Sequence, residues 1–182
     1  MSQINIQYFK TPFGELILGA FNGELCLCDW RYRKMRAAVD KRIQSWLDSV
    51  YVEQTDPLIT QAIAELEQYF SGARQVFEVP LLLAGTEFQQ QVWQHLISIK
   101  YAQTASYLEL ARKMHNQQAV RAVAAANGAN AISIIVPCHR IIGSDGKLVG
   151  YAGGLAVKKK LLQLENCTAG NDCLTRTLEL FD

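Results

Sequence analysis

Cys138 and His139 stand side by side in Ile134-Ile135-Val136-Pro137-Cys138-His139-Arg140-Ile141-Ile142-Gly143. A thiol is a strong nucleophile only as its thiolate, and a histidine or a helix N-terminus nearby favours that form. Adjacency in sequence does not make a pair. Along an extended chain consecutive side chains point to opposite faces, so the two cooperate only where the backbone turns or a water bridges them. A buried cysteine beside a surface histidine is the alternative, and a bare Cys-His dipeptide favours it. The apolar runs on both sides predict buried β structure, with Pro137, which lacks an N–H, breaking the ladder just before the cysteine. The thiol is then expected where a buried strand ends.

The elements that must position this stretch follow from pattern. Residues 4–9 alternate apolar and polar, and Thr11-Pro12-Phe13-Gly14 predicts a turn. Asn22-Gly23 between Glu15–Phe21 and Glu24–Trp30 predicts a hairpin, since both turn residues accept positive φ. These strands predict a small antiparallel sheet. Met35, Val39, Ile43, Trp46 and Leu47 have helical spacing within Arg31–Ser49. Asp56-Pro57 supplies an N-cap with Pro at the first helical position, and the stripe from Leu58 to Phe70 ends at Ser71-Gly72. Val76–Leu83 is expected as a last strand and Ala84-Gly85 as a linker. This divides the chain into a scaffold domain at 1–84, a second domain at 85–168 and a tail at 169–182.

In the second domain, Thr86 with Gln89 fits a capping box that opens a helix through Ile99, and Ser106 with Glu109 fits another that opens a short helix through Met114. A third helix is expected from Gln117 to Ala126. Two short helices around a tight polar turn make a helix-turn-helix shape. The third helix is rich in alanine, and Arg121 is its one long charged side chain. Such a surface suits close approach to DNA through shape, or equally tight packing on neighbouring helices. Gly143-Ser144-Asp145-Gly146 predicts a turn, and Val157–Glu165 a last helix carrying Lys158, Lys159 and Lys160.

At 182 residues, with 49% hydrophobic and 19% charged residues, the composition is that of a globular protein. The N-terminal residues lack a basic segment followed by an apolar one, and no run is long enough to span a membrane, which predicts a cytoplasmic chain. Five cysteines without an export signal predict reduced thiols. Cys26 and Cys28 alternate along a strand and are expected to pack as small apolar residues, while Cys167 and Cys173 fall in a polar tail. Their spacing supplies no metal site. Residues 88–163 hold nine Lys/Arg against two acids, a balance of +7, and the remainder holds nine against fifteen, a balance of −6. The basic part predicts a surface that faces phosphates.

Pro137-Cys138-His139-Arg140, Gly150-Tyr151-Ala152-Gly153-Gly154 and Leu161-Leu162-Gln163-Leu164-Glu165 resemble the active-site region of the O6-alkylguanine-DNA alkyltransferases. Phe88 to Trp93, Ser106-Tyr107, Ala119 to Val123 and Asn127-Gly128-Ala129-Asn130 follow that family in the same order, so the match is dense over 86–165. The details are closer to constitutive bacterial members than to the adaptive-response fusion. The resemblance implies an α+β fold, with a ribonuclease-H-like N-terminal sheet flanked by helices and a mostly helical, winged-helix-like C-terminal domain. The implied activity is irreversible transfer of the alkyl group from O6-methylguanine, and O4-methylthymine as well, to Cys138. One turnover per molecule is implied, without cofactor or metal, on double-stranded DNA bound by a monomer.

By similarity, His139 takes the thiol proton through a water and Glu165 supports the imidazole. Tyr107 donates a hydrogen bond to the flipped purine, and Asn130 ties the turn before the cysteine segment. Arg121 enters the base stack while Ala122 and Ala125 lie in the minor groove, and Ile141, Tyr151, Ala152 and Gly153 line the base pocket. Two positions depart from the family. Ala131 stands where many members have proline, and Ala152 where some have serine, so a hydroxyl contact there is lost while a backbone contact survives. Two rival readings remain: a module that binds alkylated DNA without reacting, and a Cys-His hydrolase. The first needs an inert Cys138, and the second leaves Arg121 and the basic bias without a role.

Overall fold

The computed structural model describes residues 2–169, so the expectations for Cys173 and for the tail beyond Ala169 lie outside the described residues. The described residues form two compact units: the chain up to Thr86 with Ala131–Ile135, and Glu87–Asn130 with the described chain after Ile135.

The first unit is built on strands β1 (Ser2–Thr11), β2 (Gly14–Phe21), β3 (Glu24–Trp30) and β4 (Ser49–Glu53), with helices α1 (Arg36–Trp46) and α2 (Pro57–Phe70). Asn22 and Gly23 both adopt positive φ (50° and 81°), the conformation a tight hairpin between β2 and β3 requires. Strand order is β3-β2-β1-β4. The sheet is mixed rather than antiparallel, because β4 runs parallel to β1 while the other pairs are antiparallel. Strand β4 has no strong sequence signal: it is short, lies at an edge, and exposes Val50.

Central strand β2 is buried on both faces. Its Ile17 packs with Ile4, Ile6 and Leu27 of the sheet and with Val39 and Ile43 of α1. Helix α1 is shorter than the expected Arg31–Ser49. Met35 and Trp46 are largely exposed, and Asp48 at φ 45° turns the chain into β4. Helix α2 begins as expected, with the Asp56 carboxylate accepting from the Leu58 N–H at 2.8 Å. The expected strand Val76–Leu83 is absent. Leu81 forms a single bridge with Leu25, since Pro80 offers only its carbonyl and Val76 points to solvent.

The segment Ala131–Ile135 lies along the outer edge of β3. The Cys28 N–H donates to the Ala131 carbonyl (2.9 Å), and the Ser133 N–H donates to the Cys28 carbonyl (2.6 Å). Beneath it, buried Asp29 accepts from the Trp30 N–H, the Ser133 hydroxyl, Arg33 and Arg36, all within 3.0 Å. The expectation of a strand through Ile134 and Ile135 fails here. Ile134 has φ 73°, an outlier for a β-branched residue, and the Ile135 N–H donates back to the Ser133 carbonyl in a γ-turn. Burial without a ladder produced the same apolar run that a strand would.

The second unit contains α3 (Glu87–Ile97), β5 (Ala105–Ser106), α4 (Tyr107–Lys113), α5 (Val120–Gly128), β6 (Ile141–Ile142) and α6 (Leu155–Thr168). Ser106 and Glu109 form the expected capping box at α4. A single 3-10 turn over Gln117–Ala119 leads into α5, which starts later and ends later than its pattern predicts. Helices α3, α4 and α5 pack on one another, and the Trp93 indole N–H donates to the Ala126 carbonyl at 2.8 Å. Strands β5 and β6 pair parallel over two residues each. Helix α6 exceeds the expected Val157–Glu165 at both ends, so Cys167 lies near the C-terminus of a helix rather than in a tail. Among the described residues no helix is long and apolar enough to cross a membrane.

Asp56 also accepts from the Asn5 side chain, so it fixes the start of α2 to β1. Asp56→Ala is expected to lower unfolding free energy by about 1–2 kcal/mol, read as a shift of the urea midpoint at constant slope.

Candidate active site

The approach to Cys138 is set by backbone turns. The Cys138 N–H donates to the Val136 carbonyl at 2.8 Å across Pro137, whose φ and ψ of −80° and 62° are those of an inverse γ-turn. Cys138–Arg140 then form one 3-10 turn, and the Ile141 N–H closes it on the Cys138 carbonyl. Cys138 therefore does not end a strand. Because the chain coils here, His139 and Arg140 both reach the same carboxylate, which an extended chain forbids.

That carboxylate belongs to Glu165 on α6, fully buried where a helix pattern alone predicts exposure. Its Oε1 lies 2.7 Å from His139 Nε2. Arg140 Nε donates to Oε2 and Nη2 to Oε1, each at 3.0 Å, and the Ala102 N–H adds a third side of the clamp at 3.1 Å. Arg140 Nη1 donates to the Ile99 carbonyl at 2.6 Å. Burial pushes the Glu165 carboxyl upward, but the charge His139 carries once protonated at low pH, its hydrogen bond, and the charge and hydrogen bonds of Arg140 outweigh it and hold the group at about 2. Burial lowers His139 below its ordinary value, with Glu165 opposing. A neutral imidazole facing an acceptor-only carboxylate must carry its proton on Nε2. Nδ1 is then the basic nitrogen, and among the described residues it has no hydrogen-bond partner.

Two cations in this site were assigned to a phosphate-facing surface by sequence. Arg140 is buried against Glu165; its position between His139 and an Ile-Ile pair was the available signal, since a cation in an apolar run needs a buried partner. Lys158 is also fully buried. Its Nζ donates to the carbonyls of Val149 (2.5 Å) and Gly150 (3.3 Å), clasping the loop between β6 and α6. Burial lowers Lys158 to about 8, and the charge of Cys138 opposes that shift. Nothing in the Lys158-Lys159-Lys160 run distinguished it, because only the helix rotation turns one of the three inward.

Tyr107 is the first residue of α4. Burial raises its phenol, and Cys138 adds to the shift, so the hydroxyl is a proton donor within electrostatic reach of the thiol. Asn130 is buried and its Nδ2 donates to the Val136 carbonyl at 2.9 Å, joining the end of α5 to the turn before Cys138. On α5, Arg121, Ala122 and Ala125 are exposed while Val123, Ala126 and Asn127 are buried. Ile141 is buried, and Tyr151, Ala152 and Gly153 are half-buried, with the Tyr151 ring edge-on to His139 at 6.4 Å. The structure thus brings Cys138, His139, Glu165, Arg140, Lys158 and Tyr107 into one electrostatic neighbourhood. Cys26 and Cys28 lie in the first unit, and burial pushes both thiols up, Cys26 to about 12, which leaves them unreactive. Among the described residues no group of three His, Cys, Asp or Glu side chains is placed to hold a metal ion.

A family model described as 6-O-methylguanine DNA methyltransferase, DNA binding domain, matches residues 87–167, and one described as the ribonuclease-like domain of the same methyltransferase matches residues 4–83. A methylated-DNA-protein-cysteine methyltransferase of Mycobacterium leprae (strain TN) is 40% identical over 182 residues, 98% of this chain and 99% of the relative. One from Methanosarcina acetivorans is 40% identical over 157 residues, 86% of this chain and 95% of the relative. The crystal structure of Mycobacterium tuberculosis O6-methylguanine methyltransferase matches with TM-score 0.78 at 36% identity, covering 93% of this chain and 97% of that one. That of Mycobacterium tuberculosis OGT in complex with DNA matches with TM-score 0.77 at 35% identity, covering 97% and 98%. The α+β architecture, with a small N-terminal sheet and a helical C-terminal part, is therefore shared with these structures.

The dyad links stability to pH. His139 is held below its ordinary value of 6.5, so the unfolded chain takes up a proton first as pH falls through that value, and stability is lost. Glu165, held at about 2 against an ordinary 4.5, adds a second loss as pH falls below 4.5. Thermal midpoints are expected to fall from about pH 7 to about pH 5 and further below, and His139→Gln is expected to flatten the first interval and to reduce the second, because His139 also helps hold the Glu165 carboxyl down.

Proposed function

The chain belongs to the 6-O-methylguanine DNA methyltransferase family, and on that premise we propose that it repairs DNA by moving the methyl group of O6-methylguanine onto Cys138. The observation that carries the proposal is the buried Cys138-His139-Glu165 arrangement, with a neutral histidine whose Nδ1 is basic and has no hydrogen-bond partner among the described residues. Nδ1 of His139 takes the thiol proton through a water. The sulfur attacks the methyl carbon in line, the carbon–O6 bond breaks, and its electron pair goes to the purine. The phenol of Tyr107 stabilises that departing charge by hydrogen bonding. Protonation of guanine balances the reaction, so thiol and O6-methylguanine become thioether and guanine.

Glu165 is the orienting group. Its ionised state keeps the histidine proton on Nε2, and Arg140 keeps it ionised. The target base lies inside the duplex, so it must be flipped. In our reading α5 lies in the minor groove through Ala122 and Ala125, and Arg121 fills the stack; their exposure on one side of the helix supports this. Ile141, Tyr151, Ala152 and Gly153 enclose the base, with Lys158 holding the carbonyls of the loop that carries them. Asn130 fixes the turn that presents the cysteine. O4-methylthymine is a second substrate of the same chemistry, since its alkyl carbon is also bonded to an exocyclic ring oxygen. The protein acts as a cytoplasmic monomer. A thioether is a stable product, and among the described residues no group is placed to remove it, so each molecule reacts once.

Intact and peptide mass spectrometry after incubation with a duplex carrying one O6-methylguanine tests this directly. The expected result is a single methyl confined to the Cys138 peptide, stopping at one equivalent and absent in Cys138→Ala. A lesion bound but unchanged points to the non-reacting module, and continued turnover points to a hydrolase-like cycle. Arg121→Ala is expected to slow transfer from the duplex by about tenfold or more while leaving reaction with free O6-methylguanine base unchanged, because only the duplex substrate requires flipping.

A further inference from the structure

Asn127 sits on the buried face of α5 between apolar neighbours. Val123 and Ala126 share that face, and Asn127 itself is only 5% exposed. Asparagine is a poor helix former, and burying an amide is unfavourable unless its hydrogen bonds are replaced. Here the replacement is incomplete. Nδ2 donates to the Tyr107 hydroxyl oxygen in a long hydrogen bond of 3.4 Å, and Oδ1 is buried with no partner among the described residues. An apolar residue of the same shape would stabilise this position better, so stability does not account for the asparagine.

Among the described residues its one side-chain hydrogen bond is to a group of the proposed reaction. The proton of a phenol prefers the plane of its ring, which leaves it two orientations about the C–O bond. An amide N–H that approaches the oxygen occupies one of them and repels the phenol proton into the other. Burial raises Tyr107, so the proton to be directed is present at neutral pH. We propose that Asn127 is a positioning residue for the alkyl transfer, its amide holding the Tyr107 hydroxyl so that the phenol proton is aimed at the departing purine. The inference rests on the role given to Tyr107 above and deepens it, assigning the orientation of that donor to a residue of the neighbouring helix.

The test is a double-mutant cycle with Asn127→Leu, Tyr107→Phe and the pair, read by single-turnover methyl transfer from a duplex carrying O6-methylguanine together with thermal unfolding. Asn127→Leu is expected to slow transfer by about tenfold, the worth of one directed hydrogen bond, with full reacted amplitude and an unchanged or higher unfolding midpoint. In the Tyr107→Phe background the same substitution is expected to cost nothing further. A merely structural asparagine predicts the opposite pairing, a lower midpoint and reduced amplitude with an unaltered rate constant. Wild-type rate in Asn127→Leu while Tyr107→Phe is slow overturns the inference alone, as does an equal loss in both backgrounds. Equal rates for wild type and Tyr107→Phe remove the Tyr107 role and the inference with it, and no transfer by wild type removes the methyl-transfer reading itself. Should Asn127→Leu fail to fold, Asn127→Ala enters the same cycle with the same expected and contrary outcomes.

Discussion

The second unit depends on one buried carboxylate. Glu165 collects Arg140 through two nitrogens, His139 through Nε2 and the Ala102 N–H, with Glu165 and His139 themselves fully buried. A charge in that position is tolerable only while every partner stays, because removing one member of a buried pair costs about 3–5 kcal/mol. The partners come from separated parts of the chain: the turn after α3, the 3-10 turn at Cys138, and α6. Satisfying Glu165 therefore closes the unit and, by the same contacts, sets the tautomer of His139. Stability and the proposed reaction share a single set of hydrogen bonds here.

Turn chemistry provides the second constraint. Pro137 and Ile134 each centre a γ-turn, and Cys138 opens a 3-10 turn immediately after. Ile134 in the left-handed region is strained by about 1–3 kcal/mol. The strain persists because Asp29 and the edge of β3 grip Ser133 on one side of it. Asn130 grips Val136 on the other. Side chains in succession can then converge on a single acceptor, where a strand would have sent them apart.

Inward lysine and arginine complete the electrostatics. Lys158 places positive charge within electrostatic reach of Cys138 while clasping loop carbonyls, and Arg140 neutralises the carboxylate that holds His139. Each was counted with the phosphate-facing cations, so the surface bias of the C-terminal half is smaller than its composition states. The alanine surface of α5 was legible as a surface, and exposure of Arg121, Ala122 and Ala125 follows from the helical period.

What the amino-acid order determined by itself was local and chemical. The Asn22-Gly23 hairpin and the Asp56-Pro57 and Ser106-Glu109 helix starts all depend on neighbours within a few residues, whose φ, ψ and hydrogen-bonding preferences are intrinsic. The multi-part motif around Cys138 identified the family. Tertiary structure decided what depends on distant partners. The parallel pairing of β4, the loss of the strand at Val76–Leu83, the γ-turns before Cys138 and the inward turn of Lys158 each follow from a contact far along the chain. An apolar run reports only that a segment is buried. Whether it is a ladder or a strained turn depends on which backbone groups lie beside it, as Asp29 and Cys28 lie beside Ser133, and that information is carried by the fold.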